Sequence, residues 1–388
     1  MPSERNFETS GFYAVVLGNW HFNSLGIVRS LGERGVPVVS VNFSESGYAD
    51  SSRYAQKVYH VKDHAQAMEV LRDIAGAAQG RGVLFPCSDQ TALFLDENRS
   101  ALEESFIVPH AGGNMGKWMQ KDEMCAAAGR AGFNVPESHV LSAGEFSGLE
   151  KLPMPLIVKP LASVEGNKAD IRVCWDGDAA KQIAKELGES GYTRILAQTF
   201  LHGEKEQTVG YCGCKTRGAP VELYGQVEKI REYPAERGSA SYAQIVPEVQ
   251  YIDTEVLDRF LEETGFEGLF DLDIKVIDGT PWFIEINFRN GAYSYAFTAA
   301  GCNIPYTWFC AQTGQTLPER SIRQVRLMSE RDDLNYVLDK QMSPFRWLRD
   351  LRKTDVCMIF NRRDREPFRA AYNKIADLAL ACAGRRLR

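Results

Sequence analysis

Short apolar runs and amphipathic stretches alternate along the N-terminal part of the chain. Tyr13-Ala-Val-Val-Leu17 is apolar throughout and stops at Gly18, the pattern of a strand buried on both faces. Ser24 to Arg34 reads as a helix, with Leu25, Val28 and Leu31 at three-residue spacing and Gly35 as its stop. Val36 to Val41 and Val83 to Pro86 read as further strands, the second followed by Cys87-Ser-Asp-Gln90 and a helix through Leu95. Alternating strands and helices predict a parallel sheet. Lys117 to Gly132 predicts a helix with Met119, Met124, Ala127 and Ala128 on one face, ended by Gly132 and Pro136. Leu156 to Pro160 is a strand with Lys159 embedded in it. Leu161 to Lys168 is a small and polar loop, Ile171 to Val173 a strand, and Ile195 to Leu201 an apolar run broken by His202-Gly203. Gln207 to Tyr211 continues as a strand.

The most informative pattern runs from Gly268 to Gly291. Phe270, Leu272, Ile274 and Val276 alternate with Asp271, Asp273 and Lys275. After Asp278-Gly279, Ile284, Ile286 and Phe288 alternate with Glu285, Asn287 and Arg289. Period-two alternation gives each strand one apolar and one polar face. Both polar sets share a face only if paired positions sum to an even number. A three-residue loop, Asp278 to Thr280, satisfies this without a bulge and sets Asp273 opposite Glu285 and Asp271 opposite Asn287. Like charges directly across a ladder destabilise it. A bound hard cation such as Mg²⁺, which takes oxygen ligands, gives the pair a reason to exist. The alternative is a solvated face whose acids pair with Lys275 and Arg289.

Composition adds mainly exclusions. The chain has 388 residues, 44% apolar and 25% charged, enough for two or three packed units. The net charge of −6 argues against a general nucleic-acid binder. No apolar run reaches the roughly 18–20 residues that span a bilayer, and the polar N-terminus has no signal-peptide run, so a cytoplasmic protein is expected. The nine cysteines are scattered without zinc-site spacing and are expected to be reduced. Neither Gly-x-Gly-x-x-Gly nor a P-loop motif occurs, which disfavours a Rossmann dehydrogenase and a P-loop NTPase. Residues 346–388 carry 12 basic and 5 acidic side chains, a net of +7, which leaves −13 for the rest. Trp347, Leu348 and Leu351 lie among Arg346, Arg349, Arg352 and Lys353, compatible with a basic amphipathic helix. Such a helix either packs on the acidic body, the favoured reading, or approaches a membrane or a lipid-linked precursor.

Phe283-Ile-Glu-Ile-Asn-Phe-Arg-Asn-Gly291 resembles the strand ending in Glu-x-Asn of the ATP-grasp superfamily. The likeness covers roughly residues 11–312 and is greatest to its carboxylate–amine ligases, including D-aspartate ligase-like proteins. Asn287 to Tyr295 and Ser88-Asp-Gln90 carry that finer likeness. The resemblance implies an N-terminal α/β domain (1–115), two ATP-grasp lobes (116–200 and 201–315) and a basic helical extension (316–388). It implies that Asp273, Glu285 and Asn287 hold Mg²⁺, with Mn²⁺ as an alternative, against ATP. Lys121 and Lys159 would bind phosphate, and 161–168 would be the flap over it. The backbone of Phe200 and Leu201 would read adenine, with Gln198 beside them or else facing solvent, and Glu206 would bind ribose. Arg289 and Lys159 would be catalytic. Arg231, Arg237 and Arg289 would bind the substrate carboxylate, unless the first two lie on an ordinary surface loop. The implied reaction phosphorylates a carboxylate and then joins it to a small-molecule amine. A nucleotide-binding scaffold without catalysis, or a carboxylase or kinase on the same fold, is the alternative. A homodimer is left open.

Overall fold

The computed structural model describes residues 11–142, 148–161, 170–235 and 239–372. The expected 161–168 flap beyond Leu161, together with Arg237, lies outside them. The first unit runs β1 (Tyr13–Gly18), α1 (Phe22–Gly32), β2 (Val38–Asn42), β3 (Ala55–His60), α2 (His64–Ala77), β4 (Gly82–Pro86), α3 (Asp89–Glu97), α4 (Arg99–Leu102) and β5 (Phe106–Ile107). Its strands form a parallel sheet in the order β3-β2-β1-β4-β5. β1 is buried along its whole length. Tyr13, Val15 and Leu17 pack on α2 and α3, while Ala14 and Val16 pack on α1. This is why the segment shows no alternation.

Next come α5 (Met115–Trp118) and α6 (Lys121–Ala131), whose buried faces join the core of the third unit, and then the second unit: β6 (Ser138–Ser142), β7 (Leu156–Pro160), β8 (Arg172–Cys174), α7 (Gly177–Glu189) and β9 (Arg194–Thr199). The single helix expected over Lys117 to Gly132 is thus two, divided at Met119 and Gln120. Gly132, at φ 112°, caps the second in a left-handed conformation that favours glycine. The strands make an antiparallel sheet, β6-β9-β7-β8.

The third unit holds β10 (Glu206–Lys215), β11 (Glu222–Leu223), β12 (Gln226–Tyr233), β13 (Ser239–Val246), α8 (Thr254–Thr264), β14 (Gly268–Ile277), β15 (Thr280–Asn287), α9 (Ser294–Ala300), α10 (Ile304–Thr313), β16 (Val325–Met328), α11 (Glu330–Leu338), α12 (Pro344–Arg352) and β17 (Val356–Cys357). Its sheet runs β15-β14-β10-β12-β13-β16-β17, with β11 on β10. The segment expected to be a helical extension therefore also supplies two strands, β16 and β17, to this sheet. The described cysteines are free thiols, most of them buried.

The extension is tied to α1 by a buried ion pair. Arg29 and Asp364 are both inaccessible to solvent, and Arg29 Nε donates to Asp364 Oδ2 at 2.9 Å. The remaining Arg29 N–H groups reach the carbonyls of Met358, Ile359 and Asp364. Asp364 also accepts from Ser52 Oγ and from the Arg53 N–H. Removing one partner would strand the other charge in the core. Asp364→Ala is therefore expected to destabilise the protein by about 3–5 kcal/mol, measured by denaturant unfolding. A loss under about 1 kcal/mol would show that water reaches Arg29.

Candidate active site

The hairpin β14–β15 sets the site. Its turn is Asp278-Gly279, at φ 49° and 86°, with Ile277 opposite Thr280. This two-residue turn replaces the expected three-residue loop, and alone it would put the polar sets on opposite faces. A bulge restores the parity: Ile274 pairs with Phe283 and Asp273 with Glu285, so Ile284 has no partner. The Phe283 N–H turns away to the Asn134 carbonyl at 2.9 Å. Phe283 and Ile286 are buried, while Ile284 is only partly so. The expected facing pairs, Asp273 with Glu285 and Asp271 with Asn287, are both present.

These side chains line a cleft of about 400 Å³. Asp271, Asp273, Glu285, Asn287 and Arg289 form one wall. Lys229 comes from β12, His21 and Asn23 from the start of α1, and Asp89 from the start of α3. Neither Asp273 nor Glu285 accepts a hydrogen bond or enters an ion pair among the described residues. Lys275 instead pairs with Glu206 at 2.8 Å, and Arg289 with Asp271 at 2.9 Å and Asp89 at 3.3 Å. The two acids thus lack a direct ion-pair partner, although Lys229 in the same cleft acts on Asp273 at longer range. Burial raises the Asp273 carboxyl to about 7, with Asp271 and Glu285 adding to the effect and Lys229 opposing it. Among the described residues no group of three or more His, Cys, Asp or Glu has ligand spacing, and the trio here includes an amide.

Beyond that lining, Lys121 and Lys159 are near enough to feel the Glu285 charge. Lys121 opens α6, and its Nζ donates to the Pro160 carbonyl at 3.2 Å. On the β7–β9 pair, Lys159 faces Leu196 and Ile157 faces Gln198, so Lys159 and Gln198 are diagonal neighbours on one face. Lys159 Nζ donates to Gln198 Oε1 at 3.0 Å, and both side chains are buried. Gln198 is therefore not a solvent-facing linker residue. Burial, then the Lys121 charge, lowers Lys159 to about 8.

At the end of β9, the Phe200 N–H goes to the Pro155 carbonyl and the Leu201 carbonyl accepts from Lys275. The Phe200 carbonyl and Leu201 N–H have no partner among the described residues. Glu206 accepts from the Gly203 N–H at 3.1 Å besides its pair with Lys275.

Arg231 departs from expectation. A bulge in β12 leaves Ile230 unpaired, with Lys229 opposite Ala243 and Arg231 opposite Tyr242. Lys229 and Arg231 then point to opposite faces. Lys229 lines the cleft, whereas Arg231 is held by Asp333 and Asp350, each at 2.8 Å. Its charge is neutralised there by the two acids, away from the cleft.

In the sequence alone His21 and Asn23 carry no assigned role, Asp89 enters only within the Ser88-Asp-Gln90 likeness, and Lys229 only as the first residue of the stretch 229–241 expected to receive the acyl acceptor. Ser88 caps α3 by accepting from the Thr91 N–H, which fixes Asp89 in the first helical turn beside Arg289. His21 caps α1, its Nδ1 accepting from the Asn23 N–H at 3.2 Å. Asn23 Nδ2 donates to the Asn290 carbonyl at 2.9 Å and the Cys87 carbonyl at 3.0 Å, joining the first unit to the end of the hairpin. Only the capping motif at Ser88 was visible as a local signal.

Gly291 closes the wall. A Cβ there would lie 2.5 Å from Cys212 Sγ and 2.9 Å from Asp271 Oδ1. Gly291→Ala is expected to cost about 1–3 kcal/mol by overpacking, read by chemical denaturation. An unchanged midpoint would mean that Asp271 can swing aside.

No family model matches the chain. It is 24% identical over 190 residues to a D-alanine–D-alanine ligase of Gluconobacter oxydans, covering 46% of this chain and 61% of that protein. It is 22% identical over 243 residues to a D-aspartate ligase of Enterococcus faecium, covering 57% and 56%. The matches thus span less than two thirds of either relative. Among solved structures, an L-amino acid ligase from Bacillus licheniformis superposes with a TM-score of 0.63 at 16% identity, covering 82% of this chain and 80% of that one. An N5-carboxyaminoimidazole synthetase from Staphylococcus aureus gives 0.63 at 17% identity, covering 88% and 89%.

Proposed function

Since the chain has the ATP-grasp fold, we propose that it is an ATP-dependent ligase that joins a small carboxylic acid to an amine through an acylphosphate. The observation that carries this reading is the unpaired Asp273–Glu285 couple, with Lys121, Lys159 and Arg289 all near enough to feel the Glu285 charge. The relatives named above as ligases of D-alanine and D-aspartate point to amino acids as the first substrates to try.

The residues present suit a hard divalent cation. Asp273, Glu285 and Asn287 offer oxygen donors on one face, and neither carboxylate enters an ion pair among the described residues. Mg²⁺, or Mn²⁺ in its place, would offset charge on the triphosphate when bound there.

The chain's own groups divide the remaining work. Lys121 and Lys159 neutralise phosphate oxygens. The unpartnered Phe200 carbonyl and Leu201 N–H match the donor and acceptor of an adenine edge, and Glu206 receives a ribose hydroxyl. Arg289, clamped by Asp271 and Asp89, cannot drift, and its remaining N–H groups orient the carboxylate. The carboxylate oxygen attacks the γ-phosphorus and the bond to the β,γ-bridging oxygen breaks, releasing ADP, so no protein nucleophile is needed. The amine then attacks the acyl carbon and phosphate leaves. Lys229 adds a cation to the acceptor side. The same reading places the protein in the cytoplasm, where ATP is supplied.

Phosphate release should require ATP, a carboxylate and an amine together, screened across L- and D-amino acids. Hydroxylamine should trap the acyl group as a hydroxamate. ATP hydrolysis indifferent to every carboxylate would end the proposal. Glu285→Gln is expected to lower turnover by about two orders of magnitude or more with the fold intact by circular dichroism.

A pH effect follows from Lys159. Its charge is present below about 8 and lost above it. ATP affinity should therefore weaken as pH rises through about 8, while Lys159→Met binds weakly with no such dependence. Calorimetric titration at several pH values checks this, and parallel profiles for the two proteins would contradict it.

A further inference from the structure

The helix α12 has two unlike faces. At 3.6 residues per turn, Trp347, Asp350 and Leu351 share one side. That side faces the body: Asp350 is buried on Arg231, and Trp347 and Leu351 line an open pocket between the helix and the body. Phe345, Arg346, Leu348, Arg349, Arg352 and Lys353 take the remaining circumference, and all are exposed. Phe345 is 85% exposed and Leu348 44%. No acid lies on this face. Arg349 reaches Asp350 only at 3.9 Å, with its side chain 65% exposed.

We propose that this face of α12 docks on the surface of an anionic lipid bilayer. An exposed phenylalanine ringed by cations is poorly suited to water but well suited to the boundary between headgroups and acyl chains. There the cations meet lipid phosphate while Phe345 and Leu348 leave water. Four cations, Arg346, Arg349, Arg352 and Lys353, lie on this face, and the one acid of the helix, Asp350, is turned onto Arg231, so the helix presents an unopposed positive surface to such a bilayer. A second copy is a poor occupant. Two-fold pairing of this face would set four cations against four. The contact is peripheral, since among the described residues no helix is long and apolar enough to cross a membrane.

The test is co-sedimentation of the full chain with vesicles of phosphatidylcholine mixed with phosphatidylglycerol, and with phosphatidylcholine alone. Binding to the anionic vesicles only, weakened by salt, is expected. Arg349→Glu with Arg352→Glu, and separately Phe345→Ser with Leu348→Ser, should each reduce it at least about tenfold while melting temperature and ATP binding stay unchanged. No binding, equal binding to neutral vesicles, or full binding by both double variants overturns the assignment. So does self-association in sedimentation velocity that Phe345→Ser abolishes in a protein that ignores vesicles. None of these results bears on the ligase reading, which is tested by turnover.

Discussion

Two carboxylates held directly across a β-ladder constrain everything near them. Asp273 and Glu285 repel, and backbone pairing on both sides prevents them from moving apart. Lys275 is committed to Glu206 and Arg289 to Asp271 and Asp89. The protein therefore holds unbalanced negative charge at one end of a cleft whose nearby lysines are themselves costly to bury. Each half of this arrangement is unfavourable alone. A cation on the acids and an anion on the lysines would relieve both, which is the electrostatic logic of a metal–triphosphate site.

Around the cleft, buried polar contacts join segments remote in sequence. Asn23 ties α1 to the end of the hairpin. Arg29 and Asp364 tie α1 to the C-terminal segment. Glu330 accepts from the N–H groups of Met358, Ile359 and Phe360, and burial lifts its carboxyl to about 7 even against those donors. Arg231 joins β12 to α11 and α12 through Asp333 and Asp350. Such contacts are unforgiving of small displacements, because a lost partner leaves a desolvated charge. They hold Asp89, Lys229 and Arg289 in fixed relation although three separate stretches supply them.

Two bulges show how local irregularity decides function. In β15 the bulge at Ile284 corrects the parity of a two-residue turn and returns Glu285 to the face of Asp273. In β12 the bulge at Ile230 separates Lys229 from Arg231, sending one to the cleft and the other to a structural ion cluster. A three-residue loop without a bulge and a two-residue turn with one set the same residues face to face. Alternation marks which residues share a face on either side of a bulge, but not where the extra residue sits.

The amino-acid pattern by itself determined the parallel first sheet, the carboxylate hairpin and the buried Lys159, because period-two alternation and a charge inside an apolar strand are local signals. It also marked α12 as basic and amphipathic, though not which side meets solvent. Only the tertiary structure decided that Arg231 is spent on Asp333 and Asp350, that Asp89 braces Arg289 and that Gln198 serves Lys159. Those facts depend on which distant side chain arrives first at a given charge. Long-range packing sets that, and no spacing within one segment encodes it.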